Sequence, residues 1–354
     1  MNNAPIIRPD EQILVTGATG FIGARVVARL LEAGFRNVRC FTRRRGHRAA
    51  ELELLARRHN ARLDMFEGNL LSPQDCREAV SGAGVIYHLA AARGEKSIPD
   101  AFMNSVVTTR NLLDAAVAPR VAGNALRRFV HVSSFTVYAG ARAANRVLDE
   151  SSPLEARPEL RGDAYSFAKI KQEALLSDYA QRHGLPLVIV RPGYVYGPGN
   201  EPIPGRVGLG TFGTFLHLGG SNALPLTYVD NCADGIVLAG LTPGIDGEAF
   251  NLVDDDLPSS RQFLSLYKRH VRRFRSIYLP HVVSYALCWM WEAYSSWSEG
   301  QLPPTFNRRM WQAYWGNRRY TNAKAKTRLE WRPRVSTTDA LRRYFESCRQ
   351  VQHA

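Results

Sequence analysis

An apolar run that breaks into three glycines near the start of the chain limits what the chain can fold into. Ile13-Leu14-Val15 leads into Thr16-Gly17-Ala18-Thr19-Gly20-Phe21-Ile22-Gly23, and apolar residues at helical spacing follow at once (Phe21, Ile22, Val26, Val27, Leu30, Leu31). That order predicts a strand, a tight turn and a helix N-terminus. The unpaired N–H groups and partial positive charge of a helix start suit a pyrophosphate. A glycine triplet alone is also compatible with an ordinary turn before an amphipathic helix, so the rest of the chain must discriminate.

At 354 residues, 45% hydrophobic and 22% charged, the chain can bury a large core. It has no uncharged apolar stretch of about 18 residues, so no spanning helix is expected. Met1 to Glu11 has no secretory pattern. Cys40, Cys76, Cys232, Cys288 and Cys348 are scattered without CxxC spacing. They read as reduced thiols of a cytoplasmic protein, with no metal site. The net charge of +14 is concentrated in Arg43 to Arg48, in Lys268 to Arg275, and in residues 308–334, where nine basic residues face one acid, Glu330. It is compatible with anionic lipid, with an anionic small-molecule substrate or with a solvated surface. No aromatic–basic interleaving supports nucleic acid.

Strand and helix patterns alternate as far as residue 198. Residues 37–41 read as a second strand, 47–58 as a helix, 62–66 as a third strand, and Pro73 opens a short helix. Val85 to Ala91 is an apolar run ending in small residues. Its His88 is read as a packed core residue. Residues 100–117 carry a helical pattern, 119–124 a loop, 128–134 a strand ending in two serines, 142–161 a polar linker, and 185–191 a sixth strand. The alternation predicts an α/β fold, a Rossmann-type doubly wound parallel sheet. Beyond 198 the regularity breaks. Gly205 to Gly220 reads as a mobile glycine-rich loop and residues 249–253 as a last strand. The remainder reads as helical and basic. The expected division is a dinucleotide-binding domain over 11–198, to which 249–253 return, and a smaller, mostly helical substrate lobe over 199–348.

At the end of the second strand a carboxylate would bind the adenosine ribose hydroxyls. Here Thr42-Arg43-Arg44-Arg45 offers guanidinium groups, which pair with a 2′-phosphate. NADP(H) is therefore expected in preference to NAD(H), with Arg43 as the contact. Tyr165 and Lys169 stand four apart, on one face of a helix. A nearby ammonium favours the phenolate of a tyrosine whose free pKa is about 10. Such a tyrosine can take a proton from an alcohol while hydride leaves its carbon, or give one to a carbonyl. Ser134 can hold the same oxygen in line.

These stretches, with His88-Leu89-Ala90-Ala91, Val132 to Tyr138 and Arg191-Pro192-Gly193-Tyr194-Val195-Tyr196-Gly197-Pro198-Gly199, resemble the extended short-chain dehydrogenase/reductase superfamily, the NAD-dependent epimerase/dehydratase group. The resemblance covers residues 12 to about 255. It implies that Gly17, Thr19, Gly20 and Gly23, with Phe21 and Ile22, cradle the pyrophosphate. Asn69 and Leu70 would flank the adenine, and Ala90 and Ala91 would line the cofactor. Pro192 and Val195 would border the nicotinamide. Ser134, Tyr165 and Lys169 would be catalytic, Tyr165 and Lys169 also touching the cofactor. It further implies a homodimer. Departures are Asn69 in place of a usual Asp, Val107 in place of a usual glycine, and Phe135-Thr136 where a sugar dehydratase shows two acids.

Residues 279–297 are almost wholly apolar until Glu292, too short to span a bilayer, and preceded by a basic segment. They suit a peripheral membrane contact, as in the 3β-hydroxysteroid dehydrogenase-like branch that they resemble. A helix packed in the lobe or at a dimer interface is the preferred alternative. The expected activity is an oxidoreductase or epimerase acting on a nucleotide-activated sugar. The rivals are the same chemistry on a lipid-like alcohol such as a 3-hydroxysteroid, and a non-enzymatic cofactor sensor.

Overall fold

The computed structural model describes residues 4–91, 97–118, 126–140, 147–200, 203–211, 213–298, 301 and 306–353. The first half alternates strand and helix: β1 (Gln12–Thr16), α1 (Phe21–Glu32), β2 (Asn37–Thr42), α2 (His47–Arg58), β3 (Arg62–Glu67), α3 (Pro73–Val80), β4 (Ala83–His88), α4 (Ile98–Ala101), α5 (Thr108–Val117) and β5 (Arg128–Val132). A two-residue β6 (Val147–Leu148) precedes α6 (Ala164–His183), β7 (Leu187–Pro192) and β8 (Tyr194–Tyr196). The rest comprises β9 (Gly208–Thr211), β10 (Thr214–His217), β11 (Leu226–Tyr228), α7 (Val229–Leu241), β12 (Ala249–Leu252), α8 (Ser260–His270), β13 (Ser276–Tyr278), α9 (His281–Trp297), α10 (Arg308–Trp315), β14 (Arg319–Tyr320), α11 (Ala323–Arg328) and α12 (Thr337–His353).

Seven strands form one parallel sheet in the order β12-β7-β5-β4-β1-β2-β3. The order reverses between β1 and β4, and ligands of open α/β sheets lie at the carboxyl ends of the strands flanking such a reversal. All of β5 and β7 is buried, as expected of strands covered on both faces. One face packs on α1 and α7, which Arg29 and Asp234 tie together at 3.0 Å; the other packs on α3, α5 and α6. The helical C-terminal region has its own core around Tyr196, Phe263, Tyr267, Tyr344 and Phe345. All five cysteines are buried.

Three expectations are corrected. Residues 100–117 are not one α-helix: Phe102–Val107 form a π-turn between α4 and α5. Side chains compete there for the backbone. The Thr109 hydroxyl and the Gln172 amide both donate to the Ser105 carbonyl, and the Thr108 hydroxyl donates to those of Asn104 and Ser105. Gly205 to Gly220 is not a loop throughout, since β9 and β10 form an antiparallel hairpin that β13 extends. Gly208 is needed for close approach, because a Cβ there would run into the Leu216 carbonyl. The C-terminal region is not wholly helical either, as β13 and β14 show. The loop expected at 119–124 and residues 142–146 of the polar linker lie outside the described residues.

Candidate active site

The glycine turn is built by close contact. A Cβ on Gly23 would fill the space occupied by the Gly17 carbonyl. The bare Cα therefore lets α1 start directly against the turn. Gly20 caps α1 without any side-chain acceptor, so the first-turn N–H groups face the cavity with no capping oxygen. That is the arrangement a dinucleotide pyrophosphate needs.

A cavity of about 1070 Å³ runs from this turn along the carboxyl ends of β2, β3, β4, β5 and β7. Gly17, Thr19, Gly20, Phe21, Ile22, Gly23, Arg43, Asn69, Leu70, Ala90, Ala91, Ser134, Tyr165, Lys169, Pro192 and Val195 all line it. Every site position expected from the sequence thus reaches one space. At its β2–β3 end, Arg43 is exposed beside Glu67 and Asp75. Asn69 spends its side-chain oxygen on the Leu71 N–H at 3.0 Å, while its own N–H donates to Asp75 at 2.7 Å. That bond and the Ser72 hydroxyl hold the Asp75 carboxyl below its usual range. The acid absent at position 69 is therefore replaced locally by Asp75, from the first turn of α3.

At the opposite end Asp163 caps α6, accepting from the Tyr165 N–H at 3.1 Å. Lys169 is buried one turn further along and donates to the Val132 carbonyl at 2.8 Å. Burial pushes its ammonium down to about 8, against the Glu173 carboxylate, which raises it. Tyr165 is half-buried. The two serines divide: Ser134 lies at the cavity wall with its oxygen accepting from the Thr136 N–H at 3.3 Å, and Ser133 donates to Glu173. Glu173 also takes Arg191 through Nε at 3.0 Å and Nη2 at 2.6 Å, and Arg191 donates to the Tyr138 hydroxyl. This buried network fixes the floor below the serines. The Thr136 hydroxyl is buried at the wall without a partner among the described residues.

His88 is wholly buried. Its nitrogens lie 2.8 Å from the Thr16 hydroxyl and 2.9 Å from that of Thr109, and burial lowers it to about 3. It is a neutral strut of the sheet, as expected. Sequence reasoning missed Arg206 and Tyr314, which line the same cavity. Arg206 lies over the Tyr314 ring at 5.3 Å, and the Tyr314 hydroxyl donates to Asp163 at 2.9 Å. No spacing signal could have found them, since each comes from far along the chain.

The model of the NAD dependent epimerase/dehydratase family matches residues 13–252. The chain belongs to that family. It is thus a member of the extended short-chain dehydrogenase/reductase superfamily. It is 28% identical over 268 residues to a 2-alkyl-3-oxoalkanoate reductase of Shewanella oneidensis, covering 71% of this chain and 64% of the relative. It is 24% identical over 360 residues to a mouse (Mus musculus) decarboxylating sterol-4-alpha-carboxylate 3-dehydrogenase, covering 96% and 92%. The chain spans under two thirds of the first two curated relatives it matches, 64% and 36% of their lengths. A UDP-glucuronic acid 4-epimerase of Bacillus cereus shares the fold, with a TM-score of 0.70 at 22% identity over 96% of this chain and 99% of the epimerase. Among the described residues no helix is long and apolar enough to cross a membrane, and no cluster fit to hold a metal occurs.

Proposed function

We propose that the protein is a nicotinamide-dependent oxidoreductase or epimerase that moves hydride at a secondary alcohol or ketone. One observation carries this: a single cavity joins an uncapped glycine turn to Ser134, Tyr165 and Lys169. Residues 11–198 with 249–253 would hold the dinucleotide, and 199–348 would close over the substrate. When bound, the nicotinamide supplies the hydride donor or acceptor. Tyr165 would take the proton from the alcohol oxygen, or return one to the carbonyl. The Lys169 ammonium favours the phenolate, and Ser134 aligns the oxygen. The expected test is Tyr165→Phe, which keeps cofactor binding and loses turnover by a factor of about 10² to 10⁴. The substrate would come from a screen of nucleotide sugars and hydroxysteroids for NADPH consumption and isomer formation. Parent-rate turnover by the variant would refute the assignment.

The cofactor would be NADP(H), held through Arg43. The substrate reading placed first is a nucleotide-activated sugar, supported by the Arg206 guanidinium at the wall, suited to a phosphate. The second is a lipid-like alcohol, supported by the sterol dehydrogenase relative, which matches nearly the whole chain. A homodimer would use Phe102 and Met103, which are exposed beside α6; sedimentation of a Met103→Glu variant tests that.

A further inference from the structure

Helix α9 is amphipathic the wrong way round. The residues it buries are Ser284, Cys288 and Ser295. Ser284 accepts from the Trp311 indole at 2.9 Å, on the side where α10 packs. Facing outward are Val282, Leu287, Trp289, Met290, Tyr294 and Trp297, from 48% to 81% exposed. A surface helix normally turns its apolar stripe to the core. Here the apolar stripe needs a cover, so the packing in the lobe expected for these side chains does not occur. Ile277 and Tyr278 of β13 extend the stripe and are exposed as well. The patch is contiguous, of a kind that marks a binding surface.

Charge selects the occupant. Residues 261–275, which lead into β13, carry six Lys and Arg and no acid. Arg269, Arg272, Arg273 and Arg275 are exposed, and the Arg261 guanidinium lies over the exposed Tyr278 ring at 5.3 Å. Over the described residues 276–298 the single acid is Glu292, and Arg308 already holds it at 2.7 Å. A second copy of the same patch would therefore bring arginines without free carboxylates to meet them. An anionic lipid surface answers both halves: acyl chains take the apolar stripe, headgroups take the arginines, and Trp and Tyr sit at the boundary. At 17 residues, roughly 25 Å long, the helix can lie in the plane of the surface.

We propose that α9 with β13 and the preceding arginines docks the protein on the surface of an anionic bilayer, lying in its interface without crossing it. The consequence for the site is direct. α9 packs on α10, and α10 carries Tyr314, so the cavity wall rests on the docked helix.

The test is flotation of the full chain with vesicles of phosphatidylcholine alone and of phosphatidylcholine with equimolar phosphatidylserine. The expected result is binding to the mixed vesicles at low salt, at least about tenfold weaker for neutral vesicles and at high salt. Val282→Asp/Trp297→Asp alters the two most exposed positions of the stripe, where no packing is at stake. Arg272→Glu/Arg273→Glu reverses two headgroup contacts. Each pair is expected to lower partitioning at least about tenfold while cofactor binding stays unchanged. Failure of the parent protein to float with mixed vesicles overturns the proposal, as does unchanged flotation of the first pair. If the first pair instead turns a dimer into a monomer in lipid-free sedimentation, the patch belongs to a second copy. Turnover is not a readout, so failure here leaves the catalytic reading intact, and failure of that reading leaves this one intact.

Discussion

Removing the Glu173 carboxylate should destabilise the protein far more than removing the whole ion pair to which it belongs. Glu173 and Arg191 are both buried, and the carboxylate receives three donors: Nε and Nη2 of Arg191, at 3.0 and 2.6 Å, and the Ser133 hydroxyl. In Glu173→Ala the guanidinium keeps the Tyr138 hydroxyl at 3.0 Å and the Tyr138 ring at 5.0 Å, but no counter-charge. Breaking a buried pair from one side costs about 3–5 kcal/mol, whereas replacing both partners with well-packed apolar residues is close to neutral. Glu173→Leu/Arg191→Met should therefore recover most of the loss, giving a coupling of about 2–4 kcal/mol in a double-mutant cycle. Guanidinium denaturation followed by circular dichroism supplies the four free energies. A cost for Glu173→Ala below about 1 kcal/mol, or a double variant equal to the sum of its singles, would refute the view of this network as a charged floor under the serines.

The other expectations concern cofactor and pH. Gly23→Ala puts a Cβ into the Gly17 carbonyl, so α1 must back away from the turn. Cofactor affinity by fluorescence titration should fall at least about tenfold, or about 1.4 kcal/mol, and unchanged affinity would remove the turn from the binding site. Arg43→Ala should weaken NADP(H) by at least about tenfold and leave NAD(H) nearly unchanged, as loss of a charge-assisted bond predicts. Equal effects on both cofactors would sink the 2′-phosphate assignment. Lys169 titrates at about 8 in the folded protein against a model value of 10.5. Between those values the unfolded chain binds more protons, so stability should rise with pH relative to Lys169→Met. Below about pH 8 both states hold the proton and the difference should be flat. Urea denaturation on either side of pH 8 checks the sign, and a relative fall with rising pH contradicts it.

The first 198 residues were largely legible because each signal there is local. Helix 47–58 was read from its periodicity and found at His47–Arg58, and Tyr165 and Lys169 share a face because they are four apart on one helix. What stayed hidden depends on contacts between distant segments. Asp75 reaches the cavity by hydrogen bonds across the turn after β3. The π-turn arises from threonine hydroxyls and Gln172 competing for backbone carbonyls. Arg206 and Tyr314 come to the wall by packing of the C-terminal region, which leaves no mark at their own positions. The outward face of α9 shows the limit from the other side. Its composition was plain in the sequence, but the direction in which the large side chains point was not.

The hydrogen bond from Tyr314 to Asp163 spans 151 positions of the chain and ends on the residue that caps the helix bearing Tyr165. This has a temporal consequence for a protein made from its N-terminus. The glycine turn and the sheet strands up to β7 can be assembled early, each element meeting partners already synthesised. The start of α6 cannot be finished then, because one of the groups that grips its cap is still inside the ribosome. A nascent chain halted before α10 would hold a dinucleotide pocket beside a proton donor not yet locked in place. Competence for binding and competence for turnover would then be acquired at separate moments of synthesis.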